Sequence, residues 1–303
     1  MNALAPAATL TLTAPAKLNL MLRILGRRTD GYHELQTVFQ LLDYGDTLTF
    51  ITTDSDTIEL DCPGVDVAPQ HNLIYRAAQL IKQTCGNETL GARISVNKIL
   101  PAGGGVGGGS SDAATTLLGL NALWQCGLDT DALAELGRQL GADVPVFVRG
   151  HSAFAEGVGE HLTPVSIEPR WYLVLVPDCH VSTAKLFSDP RLTRDSAAIT
   201  LAALRDRRLD AQWLDEYSGN DFQPLVESLY PEVCLAREWL AQHGRAFLTG
   251  TGACVFAGFE SEAAAQKVFA ERPAGLRGFV AEGVNISPTY RQLAKFAVSI
   301  QTD

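Results

Sequence analysis

Six glycines lie within seven consecutive positions of this 303-residue chain, from Gly103 to Gly109. The surrounding stretch, residues 101–114, reads PAGGGVGGGSSDAA, with a strand-like segment before it and a helix-like segment after it. Glycines lower the backbone's conformational stability, but they let it approach a ligand without steric conflict. A helix N-terminus adds free N–H groups and a partial positive charge, which attract phosphate. The stretch therefore predicts a phosphate-binding loop.

Other glycine-rich motifs fit this loop less well. Gly103, Gly105 and Gly108 match the G-x-G-x-x-G pattern of dinucleotide-binding folds, but no acidic residue follows a second strand to bind a ribose. The lysine-containing phosphate loop is excluded, because no lysine occurs between Lys98 and Lys185. A flexible linker would rarely stand between a strand and a strongly periodic helix. Phosphate binding is the favoured interpretation.

Two other segments place polar side chains among apolar ones. In PAKLNLM, strand alternation puts Lys17 and Asn19 on one face. In GADVPVFVRG, Asp143 lies between a predicted helix end and an apolar segment that we expect to be a strand. Taken alone, the lysine also fits an edge residue whose head reaches solvent, and the aspartate fits a turn-forming acid. Both interpretations stay open on these residues alone.

Short strands and helices must position these side chains. Period-two, β-branched patterns predict strands over residues 9–22, 46–53 and 92–100. After the glycines, apolar residues recur at helical spacing, and Ser110 or Ser111 is the expected N-cap. The first half is thus predicted to alternate strands with helices around the glycine loop.

The second half of the chain follows a different order. After a helix over about 129–140, which still belongs to the first half, we expect a buried strand at 171–176, a helix in 231–244, two short strands about a glycine turn in 245–259, a helix from Glu262 and a strand near 278–284. This order favours an α+β fold. Two prolines near 163–170 indicate a domain boundary, which gives domains 1–165 and 166–303.

Composition excludes several classes of partner. The formal net charge is -10 and lysines and arginines do not cluster, which argues against nucleic acid as the partner. The apolar runs are too short to span a membrane, and the N-terminus does not resemble a secretory signal. The six cysteines are scattered and the histidines lack metal-ligand spacing. We therefore expect a cytoplasmic protein with reduced, mostly buried thiols and no structural zinc site.

Four segments occur in an order that points to a known family. PAKLNL, PAGGGVGGGSSDAA, GADVPVF and LTGTGACVF together resemble the GHMP kinase superfamily of small-molecule kinases. Residues 26–46, GRRTDGYHELQTVFQLLDYGD, resemble one branch in particular, the kinases that phosphorylate a cytidine-diphosphate-linked methylerythritol in the non-mevalonate isoprenoid route. The resemblance implies a two-domain α+β fold, with an N-terminal domain like the second domain of ribosomal protein S5 and an α/β-sandwich C-terminal domain. ATP and substrate would bind in the cleft between them.

The resemblance also implies a role for each motif residue. Lys17 and Asp143 would be the catalytic pair. The residues around the ATP phosphates would be Pro101, Ala102, Gly103, Gly104, Gly105, Val106, Gly107, Gly108, Gly109, Ser110 and Ser111. The substrate would contact Asn19, Tyr32, His33, Thr183 and Phe187, with the cytosine ring between Tyr32 and Phe187 and its hydrogen-bonding edge at His33. Mg²⁺ is expected with ATP, and a hydroxyl of Ser110 or Ser111 is a candidate contact; no carboxylate stands out as a ligand.

Two alternative functions stay open. One is a GHMP kinase for a sugar, homoserine or a mevalonate derivative, against which the DGYH segment speaks. The other is a non-catalytic nucleotide-binding or dinucleotide-dependent protein, which would need neither Lys17 nor Asp143. The turn with Gly250 and Gly252 fits either a clamp on substrate phosphates or a tight hairpin. The sequence leaves the oligomeric state open.

Overall fold

A computed structural model describes residues 8–65 and 67–300 and places one large mixed sheet at the centre of the molecule. The strands are β1 (Thr9–Arg27), β2 (His33–Thr53), β3 (Ile58–Asp61), β4 (Gly91–Asn97), β5 (Ala153–Glu156), β6 (His161–Pro164), β7 (Ser166–Ile167), β8 (Trp171–Val176), β9 (Arg208–Leu209), β10 (Gly219–Asn220), β11 (Ala246–Leu248), β12 (Val255–Phe259) and β13 (Arg277–Val284). The helices are α1 (Leu73–Cys85), α2 (Gly108–Leu123), α3 (Thr130–Leu140), α4 (Val144–Arg149), α5 (Thr183–Ser188), α6 (Ala211–Tyr217), α7 (Gln223–Leu229), α8 (Pro231–Ala241), α9 (Glu262–Ala270) and α10 (Pro288–Ile300).

The long hairpin of β1 and β2 joins the two halves of the sheet. The strand order is β10-β1-β2-β13-β8-β12-β11, and β4 and β5 pair with other parts of β2. Leu41 and Leu42 of β2 pair with Val284 and Gly283 of β13. The segments that carry Lys17 and the second glycine turn are therefore parts of one continuous sheet.

Helices cover the sheet and bury its apolar residues. On one side, α2 packs on β1 and β2, and α1, α3 and α4 pack around α2, with Leu117 and Leu120 of α2 in the same core as Phe50. In the second half, α7 and α8 bury Val226 and Leu240 against β8, β11 and β12. These packed layers fix the ends of the strands and helices that line the cleft.

The last helix returns to the first strand. In α10, the Thr289 hydroxyl donates to the Thr13 carbonyl at 2.6 Å, and the Gln292 side-chain oxygen accepts from the Thr13 N–H at 2.7 Å. The predicted boundary at residue 165 falls between β6 and β7, and it stays a prediction. Residues 1–7, part of the stretch that lacks a signal pattern, lie outside the described residues.

Most predicted elements are confirmed, together with the α+β class. The strands at 171–176 and near 278–284, the helix at 129–140 and the helix from Glu262 all form. Two details of the predicted elements are wrong: the N-cap of α2 and the strand expected after Asp143. Ser110 and Ser111 are not the N-cap of α2, because the helix begins at Gly108 and Gly107 is its N-cap.

The segment after Asp143 was expected to be a strand, and it is instead the short helix α4. Pro145 occupies the first turn, where a missing N–H is tolerated, and Gly150 ends the helix in the left-handed region. Residues 144–148 are all buried, and such an apolar run has no polar face from which a helix could be told from a strand. Asp143 therefore lies at a helix start.

The expectation for the cysteines is also wrong. Cys85, at the end of α1, forms a disulfide with Cys126, just after α2. Of the remaining cysteines only Cys254 is buried, and the others are half-buried. No C-x-x-C pattern marks this pair, because the two cysteines lie 41 residues apart and meet only when α1 and α2 pack together. Among residues 8–65 and 67–300, no helix combines the length and apolarity needed to cross a bilayer.

Candidate active site

A cavity of about 1080 Å³ lies where the two halves of the sheet meet. Its walls come from β1, the turn between β1 and β2, the glycine loop, the start of α4, and the segment around α5. The predicted site residues on its walls are Lys17, Asn19, Tyr32, His33, Asp143, Thr183, Phe187 and most of the glycine loop. Ala102, Val106 and Ser111 lie outside its walls.

The glycine loop connects β4 to α2, and its glycines are required partly by the protein itself. Gly105 and Gly107 both have φ near +78°, a conformation that favours glycine. A Cβ at Gly105 would collide with the Thr249 carbonyl, and one at Gly107 would meet the Phe147 ring at 2.8 Å. These two glycines let the loop pack on neighbouring backbone and side chains.

Gly109 has a different role in the same loop. It is exposed, it lines the cavity, and a Cβ there would meet only Leu73 at an ordinary 3.6 Å. Gly108, Gly109 and Ser110 form the first turn of α2, whose N–H groups have no partner within the helix. An anion in the cavity would therefore face these N–H groups and the positive end of α2.

Lys17 lies at the centre of the site with its ammonium group almost completely buried. Its Nζ donates to Asn19 Oδ1 at 2.6 Å and to the Gly105 carbonyl at 3.0 Å, and it lies 3.3 Å from Asp143 Oδ2. Two hydrogen-bond acceptors and one carboxylate thus surround the ammonium. The Lys17 backbone N–H also donates to the Val106 carbonyl at 2.9 Å, which ties β1 to the glycine loop.

Two threonines fix Asn19 so that its side-chain oxygen faces Lys17. Asn19 Nδ2 donates to the Thr37 hydroxyl at 2.8 Å, and that hydroxyl donates to the Met21 carbonyl at 2.6 Å. The Asn19 backbone N–H donates to the Thr249 hydroxyl at 3.0 Å. Irregularities in the pairing of β1 with β2 flank this stretch, and such bulges re-aim side chains near binding sites. Sequence alternation had placed Lys17 and Asn19 on one face, and the contact between them confirms this.

Asp143 reaches the cavity from the start of α4. Its side chain is 36% exposed, whereas that of Lys17 is 3% exposed. The carboxylate can therefore contact a bound molecule while its charge is balanced by the buried ammonium. The sequence-based alternative of an edge lysine that reaches solvent is wrong, because Lys17 is buried.

A second charged cluster lies beneath the glycine loop and was missed by sequence reasoning. Lys98 forms ion pairs with Asp46 and, at 2.6 Å, with Asp112 of α2. Asp46 also accepts from the backbone N–H groups of Ile99 and Leu100 at 2.6 and 2.8 Å. Burial raises the pKa of Asp112 to about 7, and the nearby Asp46 carboxylate adds to this shift, which Lys98 opposes. The cluster fastens the end of β4 to the first turns of α2.

Tyr32 and His33 lie at the opposite end of the cavity, at the turn between β1 and β2. Gly31 has a φ of +90°, and the Tyr32 side chain is exposed. His33 is buried, and its ring stacks on that of Phe187 with a centroid distance of 4.7 Å. The structure thus brings His33 and Phe187 into contact, while Tyr32 stands at the rim of the same cavity.

The second glycine turn lies over the glycine loop. The Cys254 N–H donates to the Gly104 carbonyl at 3.1 Å, and Gly250 and Thr251 line the cavity. The hydroxyls of Thr251 and Thr183 are 2.7 Å apart. The turn is therefore part of the cavity wall as well as a connection between β11 and β12.

Metal ligands do not stand out around the cavity. Within residues 8–65 and 67–300, histidine, cysteine, aspartate and glutamate side chains do not gather in groups of three that could hold a metal ion. Of the two serines proposed as magnesium contacts, Ser110 lines the cavity, whereas Ser111 is fully buried with a hydroxyl that lacks a partner. Ser110 is the better placed of the two.

Comparison of the sequence with known proteins points to one family. Residues 72–151 match the model of the GHMP kinases N terminal domain, and residues 200–277 match that of the GHMP kinases C terminal domain. A protein of Pseudomonas syringae named 4-diphosphocytidyl-2-C-methyl-D-erythritol kinase is 57% identical over 288 residues, which cover 94% of this chain and 98% of the relative. A protein of the same name from Tolumonas auensis is 54% identical over 277 residues, covering 91% and 94%.

Solved structures lead to the same group of proteins. A crystal structure of 4-(cytidine 5'-diphospho)-2C-methyl-D-erythritol kinase matches with a TM-score of 0.79 at 33% identity and covers 91% of this chain and all of the other. The Methanococcus jannaschii mevalonate kinase matches with a TM-score of 0.68 at 15% identity, covering 93% and 99%, and at that identity the likeness concerns the fold alone.

Proposed function

The chain belongs to the 4-diphosphocytidyl-2-C-methyl-D-erythritol kinases within the GHMP kinases, and from this premise we propose its reaction in detail. ATP phosphorylates the 2-hydroxyl of 4-diphosphocytidyl-2-C-methyl-D-erythritol, giving the 2-phosphate and ADP. This places the chain in the non-mevalonate route to isoprenoids. The single observation that carries the chemistry is the buried Lys17 ammonium between Asp143 and the glycine loop.

We propose Asp143 as the general base and Lys17 as its electrostatic partner. Phosphoryl transfer depends mainly on positioning and charge stabilisation, together with a group that accepts the proton of the attacking hydroxyl. The cavity-facing Asp143 carboxylate can accept that proton. The Lys17 charge lies 3.3 Å from this carboxylate and would also stabilise negative charge on the transferred group.

ATP is proposed to bind with its phosphates at residues 101–111. The exposed Gly109 and the first-turn N–H groups of α2 supply the anion site. Mg²⁺, when bound with ATP, would neutralise charge on the nucleotide phosphates, and the Ser110 hydroxyl is the side chain that fits as its contact.

The substrate is proposed to extend from Asp143 to the β1–β2 turn. Tyr32 would stack on the cytosine ring, His33 would bind its hydrogen-bonding edge, and Phe187 would supply the second aromatic surface. Asn19 would orient Lys17 and the acceptor hydroxyl, and Thr183 would contact the substrate near the Thr251 hydroxyl. The domain division at 165 and the cytoplasmic location are part of this proposal.

The test is an ATP-consumption assay over a panel of alcohols. The panel contains the cytidine-diphosphate-linked methylerythritol, mevalonate, homoserine and galactose, with phosphorus NMR to identify the phosphorylated hydroxyl. Turnover of the cytidyl substrate alone supports the proposal. Preferred turnover of another alcohol would assign the chain to a different GHMP kinase activity, and failure to consume ATP with any of them would contradict a kinase role.

A further inference from the structure

Arg194 forms hydrogen bonds to both His33 and the Phe187 carbonyl at the end of the cavity that Tyr32 and His33 line, although no sequence pattern indicated it. It lies in the irregular segment after α5 and reaches His33 across the cleft, where its Nε donates to His33 Nε2 at 3.2 Å. The segment that carries Arg194 belongs to the second half of the chain, and His33 begins β2 in the first half. One hydrogen bond thus links the two sides of the cavity.

The rest of the guanidinium is fixed by backbone carbonyls. Its Nη2 donates to the Phe187 carbonyl at 2.9 Å and to the Asp189 carbonyl at 2.8 Å, and its Nη1 donates to the Leu192 carbonyl at 3.0 Å. Three acceptors from the same chain segment therefore hold the planar group in one orientation. Arg194 joins His33 to the backbone of Phe187, the residue whose ring stacks on His33.

This hydrogen bond determines where the proton of His33 lies. Arginine is a donor only, so the ring nitrogen that faces it must offer a lone pair. A neutral imidazole with a lone pair on Nε2 carries its hydrogen on Nδ1. Burial and the charges of Arg194 and Arg27 lower the pKa of His33, which favours the neutral ring. His33 therefore presents Nδ1–H, a donor, as its remaining polar group.

We propose that Arg194 is a positioning residue that sets the His33 tautomer and thereby makes the site select cytidine over uridine. The inference rests on the proposed function, because it concerns the base of that substrate. The ring nitrogen N3 of cytosine is an acceptor and can receive the Nδ1 hydrogen. N3 of uracil carries a hydrogen of its own, so donor would meet donor and two buried groups would lose their partners.

The first measurement uses the wild-type protein without substrate. Nitrogen-15 NMR of the imidazole rings reports which nitrogen of each histidine is protonated, and the His33→Gln variant identifies the His33 signals among the six histidines. We expect His33 to be neutral with Nδ1 protonated and Nε2 bare. A His33 ring with its hydrogen on Nε2 would overturn the inference, whatever the substrate of the protein is.

The second measurement compares Arg194→Met with Arg191→Met. Arg191 is the matched control, because it lies three residues away on the same segment and pairs with Asp189. In Arg194→Met we expect the His33 signal to lose the pure Nδ1–H form. The ratio of kcat/KM for the cytidyl substrate over its uridyl analogue should fall about five- to 150-fold, with KM for ATP unchanged. Arg191→Met should leave both readouts as in the wild type.

These outcomes separate this inference from the proposed function. If Arg194→Met changes neither the tautomer nor the ratio, Arg194 does not set the readout and the inference fails while the kinase assignment stands. If the wild-type protein uses cytidyl and uridyl substrates equally, base selection through His33 fails as well. Should Arg194→Met not fold, the wild-type tautomer measurement still decides the central step.

Discussion

The two ends of the cavity are built in different ways. At the phosphoryl-transfer end, Lys17 and Asn19 are buried on β1, and their polar groups are bonded to Gly105, Thr37 and Thr249. At the end proposed to bind the cytosine base, Tyr32 is 65% exposed at a turn, and His33 is held by Phe187 of α5 and by Arg194 from the irregular segment after it. The first end is organised by buried secondary structure, and the second by side chains that meet across the cleft.

We infer from this difference that the first end serves catalysis and that the second end serves selectivity for the cytidyl substrate. A buried, fully bonded ammonium is held in place before the substrate arrives, which is what stabilisation of a transition state requires. An exposed ring such as Tyr32 gains its contacts only when a base binds, so its energy enters the affinity for the substrate. We therefore expect changes at the first end to lower kcat and changes at the second end to raise KM for the cytidyl substrate.

Among the side chains around Asp143, the proposed general base, the largest effect is expected for Lys17→Met. Loss of the ammonium removes a preorganised charge from the transferred phosphoryl group, so kcat should fall about 10²–10³-fold with a small change in KM for the cytidyl substrate. Lys267→Met, on the exposed surface of α9, is the control and should keep wild-type kinetics. A Lys17→Met enzyme that loses only affinity would break the proposed separation.

Gly109→Val tests the anion site at the start of α2. A Cβ there meets only Leu73 at 3.6 Å, so the fold should tolerate it, while the side chain projects towards the cavity that Gly109 lines. We expect the Kd for ATP to rise about tenfold or more, with Gly109→Ala intermediate and the Tm without ATP nearly unchanged. ATP binding as tight as in the wild type would contradict the phosphate-site proposal.

Gly107→Val is expected to fail for a different reason. Its Cβ would collide with the Phe147 ring and crowd the Lys17 side chain, and its φ is +78°. This variant should lose stability even without ATP, as measured by its Tm. Both glycines line the cavity, and the contrast between them distinguishes a glycine required for packing from one at which the protein leaves room for a side chain.

Tyr32→Ala probes the opposite end. Stacking of a base on an aromatic ring contributes about 1–3 kcal/mol, so KM for the cytidyl substrate should rise about five- to 150-fold while kcat and KM for ATP hold. Tyr32→Phe keeps the ring and should restore the wild-type KM. If Tyr32→Ala and wild type have equal KM values, the base does not stack there.

The smallest effect is expected in the pH dependence of folding. Burial raises the pKa of Asp112 to about 7, so the folded protein binds a proton there that the unfolded chain releases near its ordinary pKa of 3.8. The stability gained from that proton is present at low pH and is lost as the pH rises towards about 7. Urea unfolding of wild type and Asp112→Asn at pH 5, 6 and 7.5 should give a difference in unfolding free energy that moves against the wild type with rising pH. Asp178→Asn, at a fully exposed carboxylate, is the control, and a pH-independent difference for Asp112→Asn would contradict the shift.

Sequence patterns identified the polar residues on the cavity walls better than the residues that support them. PAKLNL and the glycine loop named Lys17, Asn19 and Gly105, which the structure brings together. Thr249 lies in LTGTGACVF, one of the four segments that resemble the GHMP kinases. Its hydrogen bond to Asn19 spans 230 residues of sequence, so only the folded sheet brings the two residues into contact. Thr37 lies within the segment 26–46 that resembles the family, but that segment did not indicate its hydrogen bond to Asn19.

The errors have a similar physical origin. Residues 144–148 are buried on every side, so their apolar run carried no helical period, and α4 was taken for a strand. The charged cluster of Lys98, Asp46 and Asp112 joins three separate segments, and Arg194 reaches His33 over 161 residues. His33 and Asp46 lie in the segment 26–46 and Asp112 follows two serines in the glycine-rich stretch, but none of these patterns indicated the contacts with Lys98 or Arg194.

We propose that Asp143 accepts the proton of the substrate hydroxyl at a site that is assembled before the substrate binds. Single-turnover transfer from ATP to the cytidyl substrate by Asp143→Asn, with both bound at saturation, tests it most directly. We predict a rate lower by about 10²–10⁴-fold, unchanged ATP affinity, and a Lys17→Met/Asp143→Asn double variant little slower than the slower single variant. A transfer rate in Asp143→Asn close to that of the wild type would show that Asp143 is not the general base.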